Sequence, residues 1–286
     1  MKYLSDDFKV ALAYDLRQCK ELEFDENYIN VSDVLKAHYI LADYFTDDSV
    51  EQEFEKMLVG VRSYDLLASA LGRQAVEFSG KKKYSDKLDI CATLFFGLVK
   101  DHAFYDGNKR TALLVLLYQL EKYGFFPKRK MKDFERLVLA VADNKLPTMY
   151  SSYWEKFDSS EDKEVKTISH IIKKLVVRKD KSYNLNLTMK AFLELLKNAS
   201  VVCVVNRDKI KLSRTVKRYN GNQIYTYTIN FHGYTRAVAV KLARDTVKAL
   251  RLFDIYPSFE SMVDGECNLY KMVSDFEMPL RRLKDK

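Results

Sequence analysis

The chain has 286 residues, 47% hydrophobic and 31% charged, an ordinary globular composition that excludes a disordered tail, a collagen-like repeat and a disulfide-stapled miniprotein. At about 150 residues per domain the length suits two domains, and nine Gly and four Pro against 17 Phe and 19 Tyr favour packed helices over a sandwich of short strands. The net charge of +8 is concentrated: residues 166–250 carry 18 Lys and Arg against 4 Asp and Glu, a balance of +14, whereas residues 1–165 carry 24 against 29 and residues 251–286 carry 6 against 7.

In chain order, the start MKYLSDDFKVALAYDLRQ breaks its apolar positions with Asp6, Asp7, Lys9 and Asp15, so it lacks the apolar segment of a secretory signal, and a cytoplasmic protein is expected. VSDVLKAHYILADYF, residues 31–45, opens with Ser32 or Asp33 as an N-cap and spaces Val34, Leu35, His38, Tyr39, Leu41 and Tyr44 by three and four, which predicts an amphipathic helix. SALGRQAVEFSGKKKYSDK, residues 69–87, breaks the period with Gly72, Gly80 and three lysines and is read as a loop or short hairpin. YSDKLDICATLFFGLVKDH and TALLVLLYQLEKYGF predict two further helices, the second apolar nearly all round and so central, stopped by Gly124 and Pro127. The longest uncharged apolar run, residues 111–120, is far short of the roughly 20 residues a membrane span needs, so no membrane is expected.

The polar stretch FDSSEDKEVK, residues 157–166, marks the charge boundary and divides a domain 1–160 from a basic domain 161–286. Helical segments at residues 164–176 and 188–197 precede VVCVV, KIKLSRTVKRY and QIYTYTINF, whose β-branched and aromatic residues and intervening turn signals predict a three-stranded antiparallel sheet. A helix at residues 236–252 completes an α-β-β-β-α order, and residues 269–280 read as helical again. With clustered Lys and Arg, that order is compatible with double-stranded-RNA-binding architecture, so RNA or DNA contact by residues 166–250 is a reading that stands beside plain solvated charge. Cys19, Cys91, Cys203 and Cys267 form no CxxC pair and are read as free thiols.

Between the two apolar helices stands DHAFYDGNKRTA, residues 101–112. A helical bundle has no packing reason to interrupt its core with such a segment. His102 at one helix end, a Gly-Asn turn and Lys109-Arg110 at the next helix start place backbone N–H groups and cations around one small space, an arrangement suited to an anion. Asp106 adds a carboxylate for Mg²⁺, which takes one or two carboxylates with phosphate oxygens, and Phe104 is read as the apolar anchor of the loop.

HAFYDGNKR resembles the signature of the Fic/Doc (Fido) family, His-x-Phe-x-Asp/Glu-Gly/Ala-Asn-Gly/Lys-Arg, and the likeness extends over residues 28–145. The resemblance implies a mainly α protein, a Fic/Doc helical bundle core followed by a smaller C-terminal α+β domain. It implies that His102 is the general base toward a target hydroxyl, that Asp106 binds metal, and that Gly107, Asn108, Lys109 and Arg110 hold the phosphates of ATP. A flap containing Gln74, Ala75, Val76, Glu77 and Phe78 would dock a target segment by strand addition.

Fic proteins that transfer AMP usually have Gly where Lys109 stands and a second Arg where Leu113 stands, whereas the Asn-Lys-Arg version resembles Doc. That version implies reversed ATP and transfer of a phosphoryl group to a Ser or Thr hydroxyl of a protein such as a translation factor, with AMP transfer as the alternative. The family's inhibitory pattern, Ser/Thr-x-x-x-Glu-Gly/Asn, is met in LEFDEN only at Glu26-Asn27, with Leu22 in first place, so a separate antitoxin is the expected partner. A nucleic-acid-binding regulator on a degenerate Fic scaffold is the competing reading.

Overall fold

A computed structural model describes residues 4–19, 24, 27–46, 58–128, 132–178, 187–218, 221–252, 262 and 268–283. It is mainly helical with small antiparallel sheets, the expected fold class. The chain divides into two compact units, Met1–Lys179 with Leu269–Lys286, and Asp180–Asn268.

The first unit is built on α1 (Asp6–Gln18), α2 (Val31–Thr46), α3 (Tyr64–Gly72), α4 (Lys87–Lys100) and α5 (Asn108–Lys122). Helix α2 begins a residue before the expected cap, and Asp33 reaches back instead to accept the Asn30 N–H at 3.1 Å. Asp86 caps α4 by accepting from Leu88 N at 2.7 Å. Every residue of α5 from Thr111 to Leu120 is buried, so this helix is central as its apolar sequence requires. It stops at Gly124, whose φ of +81° sends the chain into β3 (Phe125–Pro127), and β3 pairs antiparallel with β4 (Val176–Arg178).

Helix α6 (Lys132–Ala142) follows, then the short α7 (Leu146–Met149) and α8 (Ser151–Trp154). The polar stretch 157–166 does not separate the units. It leads into α9 (Lys163–Leu175), which turns Val165, Ile168, Ile171 and Ile172 inward and is tied to α4 by Lys166–Asp89 (2.6 Å), while Asp162 just before it pairs with Lys83 (2.7 Å). The charge step therefore marks a change of surface within the first unit, and Lys173 and Lys174 on α9 belong to this unit and not to the basic module.

Gly97 lies in the middle of α4 because a neighbour crosses there: a Cβ at this position would sit 3.0 Å from the Ala70 Cα of α3 and 2.8 Å from Arg73 Cδ. Gly97→Ala, which by helix propensity alone gains about 1 kcal/mol, is expected here to lose about 1–3 kcal/mol through overpacking. Urea unfolding reads the sign; an unchanged or raised midpoint would show that α3 can withdraw.

The second unit runs α10 (Met189–Asn198), β5 (Val202–Asn206), β6 (Lys209–Arg218), β7 (Gly221–Asn230) and α11 (Val240–Ala249), the expected α-β-β-β-α order. The sheet is antiparallel in the order β5-β6-β7, with Cys203 opposite Leu212 and Leu212 opposite Tyr227. Ile210, Leu212 and Ile229 turn to one face and pack with Phe192, Leu196, Val247 and Leu250 of the helices. Helix α11 starts later than expected because residues before it are held extended, Val238 N donating to Leu187 O (2.8 Å) and Ala237 bridging Thr188. Arg214, a cation in the basic stretch, is buried and donates through Nη1 to the carbonyls of Leu250 (3.0 Å) and Arg251, closing the C-terminal end of α11.

Cys19 and Cys91 are buried free thiols and Cys203 is a half-buried one; Cys267, like Glu26, lies outside the described residues. Among the described residues no helix is long and apolar enough to cross a membrane.

Candidate active site

The site begins where α4 ends. Asp101 N donates to Gly97 O at 2.8 Å, and His102 then adopts a φ of +48°, the left-handed turn with which helices commonly terminate. That turn leaves the His102 side chain exposed and directs Ala103 and Phe104 inward. Ala103 O accepts from Arg62 N (2.8 Å) and Ser63 N (3.1 Å), Tyr105 N donates to Gly60 O (3.2 Å), and Phe104 bridges Val61, so the loop is stitched along its length to residues 60–63.

Phe104 is 2% exposed and stacks on His38 at 4.0 Å between centroids, the apolar anchor expected of it. His38 is itself fully buried. Its Nε2 accepts the Gly60 N–H at 3.2 Å, which leaves the proton on Nδ1, 3.1 Å from Thr111 Oγ1. One imidazole thus joins α2, the 60–63 segment, the loop and α5. Burial first and the Arg110 charge second push its pKa down from 6.5 to about 3, so the ring is neutral. The helical period of α2 places His38 on the core side; its partners lie too far along the chain for spacing to reveal them.

The loop closes on Asn108. Its Oδ1 accepts from Phe104 N and its Nδ2 donates to Phe104 O, both at 3.0 Å. The side chain expected on phosphate is therefore a clamp on the loop, and what Asn108 offers an anion is its main chain. Gly107, with φ +73°, turns the loop into α5, where Thr111 N donates to Gly107 O at 2.8 Å. In the first turn of any helix the N–H groups have no carbonyl behind them within the helix and point along its axis, the arrangement that receives anions. Here that turn is formed by residues 108–110, after a short Gly107 N–H contact to Asp106 Oδ1.

Arg110 Nη2 lies 3.2 Å from each Asp106 oxygen; the arginine side chain is 7% exposed and the carboxylate 20%. Arg110 Nε is buried with no hydrogen-bond partner, and the guanidinium carbon lies 5.8 Å from the Phe45 ring. On Phe45 also rests Arg281, at 5.8 Å, from the C-terminal helix Glu277–Arg282, and Tyr44 donates to Glu277 Oε2 at 2.8 Å. Lys109 is half-exposed. Asp143 on the far side feels it: a hydrogen bond from Lys145 and then the charges of Lys145, Lys109 and Lys100 hold that carboxyl below its usual range. Leu113, one turn beyond Arg110, is fully buried.

The flap is a two-residue hairpin, β1 (Glu77–Phe78) and β2 (Lys81–Lys82), turned by Ser79 and Gly80 with φ of +49° and +73°. Glu77 and Phe78 are exposed, Ala75 and Val76 half-buried. Gln74 is not a docking residue. It is 1% exposed and its amide is spent inside the unit, on Ile29 N (3.1 Å), Ile29 O (3.0 Å) and Gln119 Nε2 (2.9 Å).

The Fic/DOC family model matches residues 28–120, a span that runs from the start of α2 through the flap and the loop to α5. Over that span the chain is similar to the Fic/DOC family, whose members are generally transferases. Comparison with curated proteins and with solved structures returned no significant match.

Proposed function

We propose that the Fic/DOC domain transfers the γ-phosphoryl group of Mg-ATP to a Ser or Thr hydroxyl of a target protein, as the toxin of a pair whose antitoxin is a separate protein. His102 takes the hydroxyl proton as the new O–P bond forms and ADP leaves. Its exposed position at the head of a pinned loop supports that role. The N-terminal turn of α5, Arg110 and Lys109 bind the polyphosphate charge, and the exposed edge of β1 receives the target segment by strand addition.

Asp106 would hold Mg²⁺. It is a single, partly exposed carboxylate, and among the described residues no three His, Cys, Asp or Glu gather into a cage, which fits an ion that takes most of its ligands from phosphate and water. Bound there, the ion supplies charge neutralisation at the phosphates.

The observation that carries phosphoryl over AMP transfer is Leu113. With this position sealed in the core, α5 presents Arg110 without a second guanidinium one turn later, unlike the AMP-transferring pattern. Incubating the protein with lysate and ATP labelled at either the α or the γ phosphate tests the reading. Protein label from γ-labelled ATP alone is the expected result; label from the α position would replace it with AMP transfer, and label from neither would overturn ATP as the donor.

A further inference from the structure

Among the described residues, the second unit presents a sheet with helices on one side only. Its other face consists of alternate residues whose register is fixed: Val204 lies opposite Lys211 and Lys211 opposite Thr228, Val202 opposite Ser213 and Ser213 opposite Thr226, Thr215 opposite Ile224, and Lys209 opposite Asn230. All of these are exposed except Ser213, which is half-buried. Val202 and Ile224, at 61% and 64% exposure, are large apolar side chains left in water beside lysines and threonines.

We propose that this open face binds double-stranded DNA. Among the described residues of the three strands it carries Lys209 and Lys211 and no carboxylate, and Asp208 sits in the turn at the sheet's end. The rest is Thr, Ser, Asn and branched aliphatic, the side chains that meet phosphate oxygens, base edges and the thymine methyl group. Charge complementarity therefore selects a polyanion over an ordinary protein surface.

Shape then selects among polyanions. Single-stranded nucleic acid is gripped by stacking bases on aromatic rings, and the rings of this sheet, Tyr225 and Tyr227, lie on the opposite, helix-covered side, packed against the core. Double-stranded RNA has a major groove too deep and narrow for side chains to read, and its accessible minor groove is wide and shallow and offers a sheet no cleft. B-form DNA has a major groove about 12 Å wide, and the three strands, at roughly 4.8 Å spacing, span about 10 Å between the outer backbones. Strands β6 and β7 are ten residues each, roughly 33 Å at the usual rise, close to one turn of the duplex.

The full-length protein would be titrated by fluorescence anisotropy into a labelled 24-base-pair DNA duplex at low salt, with the matching RNA duplex and DNA single strand in parallel. Two double variants accompany it, Lys209→Glu with Lys211→Glu on the open face, and Lys241→Glu with Lys248→Glu on α11. Both pairs are surface positions, and circular dichroism checks that each variant keeps its fold. The DNA duplex is expected to bind tightest, the open-face pair to weaken it by roughly tenfold or more and to flatten the slope of log affinity against log salt by about 2, and the α11 pair to change it far less. Preference for RNA or single-stranded DNA, loss confined to the α11 pair, or no duplex binding at low salt would each overturn the proposal.

Discussion

Replacing His102 with Ala or Asn is expected to lower protein labelling by about 10²- to 10⁴-fold, the usual worth of a positioned general base. The two variants separate chemistry from loop geometry. His102 holds a φ of +48°, which Asn tolerates and which costs most other side chains about 1–2 kcal/mol. Asn at this position therefore keeps the turn and removes the base. His102→Gly goes further, since it relieves the left-handed turn and is expected to raise stability slightly while transfer is lost. Full activity in His102→Asn would remove His102 from the mechanism. Unchanged growth inhibition by His102→Ala would separate the protein's toxicity from transfer.

The second large effect is acid destabilisation through His38. In the folded chain its pKa is pushed down to about 3, whereas in the unfolded chain it returns to 6.5. Between these values the unfolded state binds a proton that the folded state refuses, so stability falls as pH drops below 6.5 and continues to fall toward 3. The slope is about 1.4 kcal/mol per pH unit, which amounts to roughly 3 kcal/mol by pH 4. His38→Gln keeps a polar side chain without a group that titrates in this range. Its urea-unfolding free energy is expected to decline less steeply from pH 6.5 to 4 than that of the unaltered chain. Equal slopes would show that His38 is not the titrating group. Because the imidazole lies under Phe104 and beside Arg110, its protonation would also force a cation into the floor of the loop.

What the sequence makes legible follows from range. The periods of α2, α4 and α5 are local, and so are the alternation of β6 and β7 and the nine-residue signature that locates the loop. Helix α1 is harder to read, since only Leu12 and Asp15 of its residues are buried and it shows little apolar stripe. Strands β3 and β4 are three residues each, about fifty apart along the chain, and their pairing leaves no periodic trace. The same holds for the polar contacts beneath the site. Gln74 and Gln119 meet 45 residues apart, His38 and Thr111 73 apart. Read by position, Gln74 belongs to the flap and Asn108 to the phosphates; read by hydrogen bonds, each is fully engaged within the fold. Composition likewise locates a run of charge without saying which side chains reach solvent, and Arg214 inside that run does not.

The return of the chain to its first unit has a consequence in time. Synthesis delivers α1 to β4 first, then the second unit, and only after it the helix whose Glu277 accepts from Tyr44 and whose Arg281 rests on Phe45, the ring that also faces Arg110. A chain cut short between residues 123 and 269 has the signature loop and lacks that buttress. Completion of the first unit thus waits on residues 269–283, and a truncation that removes them removes part of the wall beside the site.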